Sequence, residues 1–449
     1  MVKSMTEGNP LKLILNFTIP LLLGNLFQQT YNMVDAIIVG RYIGANALAS
    51  VGASSSVQFM VLGFCMGCCA GFTIPVAQQF GAKNYDRMRS YIFHSGVLCV
   101  ILAIIMTSVC AILCPQILHL MKTPDKLYAD AYNYFLIIVL GIPFSLLYNL
   151  LAGILRAVGD SRTPFIFLAV STVSNILLDL LFIIVFKWGC AGAAGATITS
   201  QAISGILCLI LINKKFDILK LKRSDMKFNG KNMLTCITMG IPMGLQYSIT
   251  AIGSMVLQAS NNKLGEVYIS AFAAGSKIKQ FAMCPFDALA TAVSSFCSQN
   301  LGAVKFDRIR KGLRTGIVIG VIYGIVIGVV TNIWGYGLSS LFVKRSETEV
   351  LLASALYVGH LGLFFWAIGF LNCCRLTIQG IGYAGVAIFS GNDSKNCGKF
   401  CVCTKVWLYC DNIRRSVRVA CCMCVLHTDG FRAYPETGKK VYQDIIYTF

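Results

Sequence analysis

Charged side chains are scarce in this chain. They make up 13% of the 449 residues, whereas hydrophobic residues make up 56%. A soluble globular protein carries about 25% charged residues, so this composition excludes a soluble domain and indicates a membrane protein. Ten-residue segments of alternating polarity, typical of membrane barrels, are also lacking. We therefore expect an all-α integral membrane protein whose helices cross the bilayer.

Enzyme and nucleotide motifs are lacking as well. His94, His119 and His360 lie far apart, with no second histidine at the spacing of a metal site. The glycine-rich stretch 189–195 contains no Lys-Ser or Lys-Thr pair, which excludes a phosphate loop there. Cysteines near position 65 lie in an apolar run, where thiols behave as small hydrophobes. We expect no enzyme and no cofactor, and an ion gradient rather than ATP as the energy source.

Acidic residues are half as frequent as basic ones, 19 against 38, giving a formal charge of +19. The basic residues lie in short clusters between apolar runs rather than along one amphipathic face, which argues against a nucleic-acid partner. Most of them fall on one side of the membrane when the N-terminus is placed in the cytoplasm. This pattern predicts a multi-pass protein of the plasma (inner) membrane, with a retained first helix because no signal peptide is evident.

The sequence contains an internal repeat. Residues 78–89 (QQFGAKNYDRMR) recur 221 positions later as 299–310 (QNLGAVKFDRIR). Pro20 corresponds to Pro242 in the second copy, and residues 156–159 (RAVG) correspond to 379–382 (QGIG). The repeated stretch itself is expected to form a helix end and a tight cytoplasmic turn. Two halves with six spans each would run in the same direction, so we predict two six-helix bundles related by a pseudo-two-fold axis along the membrane normal.

The apolar runs define the predicted spans. They lie near 13–38, 46–80, 91–114, 128–154, 164–186, 190–212, 233–260, 267–300, 315–343 and 350–374, with a further helix beginning at Ile378. The corresponding domains are an N-terminal bundle (1–212), a basic cytoplasmic linker (213–232), a C-terminal bundle (233–390) and a tail (391–449).

The tail departs from this pattern. The repeat predicts two more helices after Gly382, but 391–449 contains no run long enough to span and holds 7 of the 20 cysteines. A cysteine-rich metal or redox tail is one interpretation, although paired C-x-x-C motifs are missing. The interpretation we favour is a reading-frame shift near Ser390, which leaves the second bundle incomplete.

Carboxylates within apolar spans are the strongest functional signal, since each costs about 2.5–3.5 kcal/mol at mid-bilayer. Asp35 lies in the first span and Asp179 in the fifth, and Asn175 shares a helix face with Asp179. Asn149 and Thr197 could add oxygen ligands. Such a set suits a sodium ion or an exchangeable proton, although hydrogen bonds between helices would also explain it.

Three other sets of residues carry weaker signals. Pro20 and Pro242 occupy matching positions and could kink their helices. Aromatic residues such as Phe27 and Tyr31 could line a cavity for flat cations. Asp287, with Lys277 and Lys279, forms a charged set in the eighth span, where an internal ion pair explains it as well as transport chemistry does.

The motifs together resemble the MATE (multidrug and toxic compound extrusion) family. The motifs in order are VDAIIVG at 34–40, the two Q-x-x-G-A stretches, LRAVGDSRTP at 155–164 and NILLD at 175–179, and NILLD looks most like the DinF-like bacterial branch. The resemblance implies a V-shaped cavity between two bundles and antiport, in which Na⁺ or H⁺ enters while small organic cations or drugs leave. It assigns Asp35, Asn175 and Asp179 to the cation site, with Asn149 and Thr197 as additions and Thr199 as a near neighbour. We expect a monomer with no cofactor beyond a coupling Na⁺.

Two alternatives remain. A lipid or oligosaccharide flippase of the same superfamily would need a basic cavity, for which Lys277 and Lys279 are the main candidates within spans. A nonfunctional truncated transporter would follow from the missing helices.

Overall fold

The fold is all-helical throughout the part of the chain that the computed structural model describes, residues 3–121, 123–262 and 264–383. The predicted tail 391–449 and the frame shift near Ser390 lie outside these residues. The first half contains α1 (Pro10–Ile38), α2 (Ala45–Phe72), α3 (Ile74–Gly81), α4 (Tyr85–Ile112), α5 (Cys114–Leu120), α6 (Asp125–Leu140), α7 (Ile142–Ala157), α8 (Arg162–Asp179) and α9 (Gly189–Lys215). The second half contains α10 (Gly230–Asn261), α11 (Glu266–Gly302), α12 (Phe306–Ser339), α13 (Thr348–Gly362) and α14 (Phe365–Ile381).

Proline and glycine mark where the long apolar runs restart. In α3, α5 and α7 a proline occupies the first or second helical position, where the missing N–H costs no hydrogen bond. Pro20 and Pro242 instead lie inside α1 and α10, which continue through them. Whether these two prolines kink their helices during transport stays a prediction.

Most described helices are suited to a bilayer. Seven are long and apolar enough to cross a membrane, and nine if each of two bent helix pairs counts as one span. The predicted seventh span, 233–260, corresponds to α10, which is 32 residues long but is not among them. Its polar residues explain the difference, since Gln246, Ser248, Thr250, Ser254 and Gln258 lower its hydropathy.

Two predicted spans are bent pairs of helices. The predicted helix 128–154 is α6 and α7, which meet at Gly141 with a bend of 43°. The predicted helix 350–374 is α13 and α14, with a bend of 51°. The prediction of a new helix at Ile378 is wrong, because α14 continues to Ile381 and ends at Gly382, which adopts a left-handed conformation.

The internal repeat is visible in the backbone. In the first copy, Lys83 N–H bonds to Phe80 O and Asn84 N–H to Gln79 O. In the second, Val304 N–H bonds to Leu301 O and Lys305 N–H to Asn300 O. Lys83 and Val304 both have a φ of 58°, and an i,i+3 pair of Asp and Arg follows each turn. The expectation of a helix end and a tight turn is confirmed in both copies, although the left-handed residue is not the glycine.

The chain divides into two compact units. The first comprises Met1–Ser4 and Ile19–Ile252, and the second comprises Met5–Thr18 and the described residues from Gly253 onward. These units divide within α1 and α10, whereas the predicted domains divide at the linker 213–232. The domain boundaries given by the sequence stay predictions.

Within the first unit, α2 and α10 approach closely through two G-x-x-x-G motifs. A Cβ atom added to Gly71 would lie 2.5 Å from Gly240 Cα, and one added to Gly67 would lie 2.8 Å from Gly244 Cα. Only residues without side chains allow two helix backbones to come this close. The contacts at Gly240 and Gly244 therefore hold α10 against α2 on both sides of Pro242.

Candidate functional site

The two predicted acids come together in the first unit. Asp35 in α1 and Asp179 in α8 place their carboxyl groups within hydrogen-bonding range of each other. Asp179 is fully buried, and Oδ1 of Asp35 is buried with no hydrogen-bond partner among the described residues. Two carboxyl groups this close in a region of low dielectric cannot both stay charged without a proton or a cation between them.

Local helix geometry explains why α8 presents its polar residues to this point. Asn175 and Asp179 are four residues apart, so they lie on one face of α8, and both are buried. Immediately after Asp179 the backbone widens into a π-helical segment, Leu180–Val185, and α1 likewise continues as Val39–Ile43 after Asp35. Single π-helical turns are rare and concentrate at functional sites.

An apolar core holds these elements in place. It contains Val39 from the first π-helical segment, Ile183 from the second, Tyr134 from α6 and Ala193 from α9, all buried. Val51 and Leu62 of α2 pack against it. Five parts of the chain that are distant in sequence therefore converge beside the acid pair.

Two hydroxyl groups border the acids. The Tyr31 hydroxyl oxygen lies 3.3 Å from Thr197 Oγ1, and either group can donate the hydrogen. Tyr31 also interacts electrostatically with Asp35 and Asp179. The sequence assigned Thr197 to the ion site and Tyr31 to a substrate cavity. The structure joins these two hydroxyl groups and puts Tyr31 within electrostatic range of the acids, and both assignments stay predictions.

Sequence reasoning missed two residues of this site. Tyr134 of α6 interacts electrostatically with Asp35, Asp179 and Tyr31, and its hydroxyl group is hydrogen bonded to the Gln58 side chain of α2. Tyrosine and glutamine are unusual inside apolar spans because their polar groups need partners there. Tyr134 and Gln58 within apolar spans could therefore have been identified from the sequence as polar residues that need partners. The sequence does not indicate which helices supply those partners.

The remaining predicted residues are engaged elsewhere. Asn149 Nδ2 donates to the Ser145 carbonyl one turn back along α7, at 2.8 Å. The Thr199 hydroxyl donates to Gly195 O of its own helix at 2.7 Å. Phe27 is 39% exposed, and its ring centroid lies 5.8 Å from that of Phe165. The roles of Asn149 as an ion ligand and of Phe27 as a cavity residue stay predictions.

The third intramembrane acid, Asp287, belongs to the second unit. Its carboxylate accepts a weak hydrogen bond from Asn372 at 3.4 Å and interacts with Arg375. Lys277 is exposed on the same helix, and Lys279 is partly buried. The charged partner of Asp287 is therefore Arg375, which the sequence analysis did not assign to it.

The donor set at the acid pair fits a small hard cation or a proton. Carboxylate oxygens of Asp35 and Asp179 and the hydroxyl oxygen of Thr197 are ligands that an alkali cation accepts, and Asn175 is one helical turn away. No group of three or more His, Cys, Asp or Glu with metal-ligand geometry occurs in the described residues. A reversible ion is the chemistry that the arrangement supports.

Comparisons with known proteins show which family the chain resembles. The MatE family model matches residues 20–181 and 242–390, and its two segments begin at Pro20 and Pro242. The chain is 34% identical to "Probable multidrug resistance protein YpnP" of Bacillus subtilis (strain 168), over 81% of each chain. It is 22% identical to "Multidrug export protein MepA" of Staphylococcus saprophyticus, over 86% of each chain.

Solved structures show the same fold. A crystal structure of "MATE in complex with MaL6" superimposes with a TM-score of 0.86, at 19% identity and over 98% of each chain.

Proposed function

Because this chain belongs to the MATE family of membrane transporters, we propose that it exports bulky organic, often cationic, compounds by antiport with Na⁺ or H⁺. The observation that carries this proposal is the pair of carboxyl groups of Asp35 and Asp179 in the first unit. Relatives named as multidrug resistance and multidrug export proteins support the substrate class.

The acid pair supplies a physical basis for coupling. When both carboxyl groups are ionised they repel, and in low dielectric this repulsion is only weakly screened. A proton or Na⁺ bound between them removes the repulsion and lets α1 and α8 pack more closely. Ion binding would therefore shift the population of conformations in which these helices differ, and a ligand can shift an equilibrium only through such a difference in affinity.

Tyr31, Thr197 and Tyr134 would tune the pair. Each tyrosine hydroxyl is a donor within electrostatic range of the acids, and a donor stabilises a carboxylate more than a neutral carboxylic acid. The two tyrosines would thus help to keep one of the two carboxyl groups ionised, so that the site can accept the coupling ion. The orientation of the protein in the membrane would follow the distribution of its Lys and Arg residues, which favours a cytoplasmic N-terminus.

The test is accumulation of a fluorescent cationic dye in cells expressing this chain, with the sodium and proton gradients collapsed separately. We expect efflux to be lost with one of the two gradients. Asp179→Asn and Asp35→Asn should each abolish gradient-driven efflux while leaving the protein in the membrane, because an amide cannot exchange a proton or attract a cation as a carboxylate does.

Asp130→Asn is the matched control. Asp130 is exposed on α6, the helix that also supplies Tyr134, and it makes no contact with the acid pair that the structure describes. This variant should retain efflux and the same ion dependence. Full gradient-driven efflux by Asp179→Asn would contradict the coupling role.

A further inference from the structure

The segment between α9 and α10 is held at the membrane surface by both of its ends. We name residues 213–232 the basic linker. α9, which is apolar enough to span the membrane, ends at Lys215, and the 32-residue helix α10 begins at Gly230. Phe216 and Leu219 at its start and Asn232 at its end are buried, which anchors it to the first unit.

Polar contacts with α4 fix the middle of the basic linker. Arg89 Nε lies 2.8 Å from Asp225 Oδ2, and both side chains are buried. The Asn229 N–H donates to His94 Nε2 at 2.8 Å, and Asn232 Nδ2 donates to Ser90 Oγ at 3.1 Å. These contacts come from two consecutive turns of α4. The linker is therefore a defined structure rather than a solvated loop, and its other side chains have a fixed outward direction.

The outward side combines positive charge with apolar side chains. Leu221, Met226 and Phe228 are 38%, 47% and 73% exposed. The linker has two aspartates against seven basic residues, all seven of which are exposed: Lys214, Lys215, Lys220, Lys222, Arg223, Lys227 and Lys231. Asp217 pairs with Lys220, and Asp225 pairs with Arg89. Of the other six basic side chains, Lys222 also interacts electrostatically with Asp225, and the remaining five have no ion pair with an acid in the part of the chain that the structure describes.

We propose that this surface of the basic linker binds the headgroups of anionic phospholipids in the adjacent leaflet. Charge complementarity favours a lipid phosphate, because the exposed lysines and Arg223 follow directly on the membrane-spanning helix α9, where an anionic surface attracts them. Exposed apolar side chains among the basic residues are typical of segments that lie in the interface with their apolar groups among the acyl chains. The buried contacts with Arg89 and His94 orient Phe228 and Met226 for this contact.

The experiment uses a tryptophan as a depth probe in the full chain. Phe228→Trp protein is reconstituted into phosphatidylcholine vesicles that contain either brominated phosphatidylglycerol or brominated phosphatidylcholine at the same mole fraction. The signal is the fluorescence of the variant minus that of the parent chain in the same vesicles. This subtraction removes the contribution of the four native tryptophans. We expect stronger quenching by brominated phosphatidylglycerol, and we expect the preference to weaken as salt rises.

Removal of charge tests the basic residues directly. Lys222→Gln, Arg223→Gln and Lys227→Gln are combined in the Phe228→Trp background, with Asp225 and Arg89 left in place. Each basic residue near an anionic surface contributes roughly fivefold to affinity, so the apparent affinity for phosphatidylglycerol should fall more than tenfold. Lys344→Gln with Arg345→Gln is the matched control. Both are exposed in the turn between α12 and α13, and their loss should leave the preference unchanged.

Three results would overturn the proposal. Equal quenching by the two lipids would show insertion without recognition of the anionic headgroup. A preference that the triple variant retains would place the recognition elsewhere on the protein. A tryptophan quenched by neither lipid would show that the surface faces water or a soluble acidic partner. The quenching and salt measurements on Phe228→Trp alone decide between insertion and exposure, even if the triple variant does not fold.

Discussion

Replacement of Gly71 by alanine tests the close crossing of α2 and α10. The added Cβ would lie 2.5 Å from Gly240 Cα and 2.5 Å from Met239 O, both backbone atoms that cannot rotate away. Ordinary carbon contacts lie at about 3.5–4.0 Å, so the two helices would have to separate by about 1 Å. Overpacking of this kind costs about 1–3 kcal/mol.

The same substitution at Gly52 provides the reference. Gly52 also lies in α2, but nothing is within 4 Å of a Cβ added there. In a helix interior alanine is favoured over glycine by about 1 kcal/mol, so Gly52→Ala should stabilise the protein. Gly71→Ala gains the same helix propensity but disrupts the close contact between α2 and α10. The free energies of unfolding of the two variants should therefore differ by the overpacking cost alone, about 1–3 kcal/mol.

Thermal unfolding in detergent, followed with a thiol-reactive dye, suits this chain. Twelve of the thirteen described cysteines are buried, so they become reactive only as the helices separate. We expect the midpoint of Gly71→Ala to lie several degrees below that of Gly52→Ala. Equal midpoints for the two variants would show that α2 and α10 do not touch at these glycines, and the reasoning from the crossing would then be refuted.

Three further substitutions test other contacts. Asp225→Asn should weaken the bond to Arg89 by about 1.5–3 kcal/mol, and tryptic cleavage within the basic linker should then rise at least tenfold at neutral pH. Arg308→Gln removes donors to the Met5 and Gly8 carbonyls and should destabilise the second unit by about 1–3 kcal/mol in thermal unfolding, whereas exposed Lys311→Gln should not. Tyr31→Phe removes the partner of Thr197, and it should shift the pH dependence of dye efflux while Phe27→Leu leaves that dependence unchanged.

Asp225 also predicts a pH dependence of linker docking. Burial alone would raise the pKa of this carboxyl group, but the backbone N–H of Lys222 and the Arg89 guanidinium outweigh burial and lower the pKa. Because the pKa of Asp225 is lower in the folded state, its ionised carboxylate stabilises the fold at any pH above the unfolded-state pKa of about 3.9. This stabilisation is lost as the pH falls through the folded-state pKa. The protection factor of the Lys222 amide, whose N–H donates to Asp225 Oδ2 at 2.9 Å, should therefore stay constant from about pH 5 to 8 and fall below about pH 4, while Asp225→Asn should show no such fall.

The acid pair was predictable because burial of charge is costly wherever it occurs. Asp179 and Asn175 stand out in an apolar run, and their four-residue spacing places them on one face without knowledge of the tertiary structure. Tyr134 and Gln58 are equally part of the site, but a tyrosine or glutamine can satisfy its polar group in many ways. Which helices meet at Asp179 depends on packing over long sequence distances, which the sequence pattern does not encode.

Helix breaks illustrate a second limit. Apolar runs continue through Thr73 and Gly141, so hydropathy joins α2 with α3 and α6 with α7. Pro75 and Pro143 in the following first turns were a usable signal for a restart, whereas the bend before Phe365 has no proline nearby. The glycines of the α2 and α10 crossing were also visible, but glycine is common in membrane helices and only their proximity in the structure reveals their role.

The position of residues 5–8 has a consequence for biosynthesis. The Met5 N–H donates to Gln299 Oε1, 294 residues further along the chain, and Asn300, Lys305 and Arg308 bind the carbonyls that follow. At roughly 5–20 residues per second, the ribosome needs on the order of 15–60 s to deliver these partners. Residues 5–8 therefore leave the ribosome long before the residues that bind them. Until then they are open to chaperones, to proteases and to non-native pairing with the first copy of the repeat.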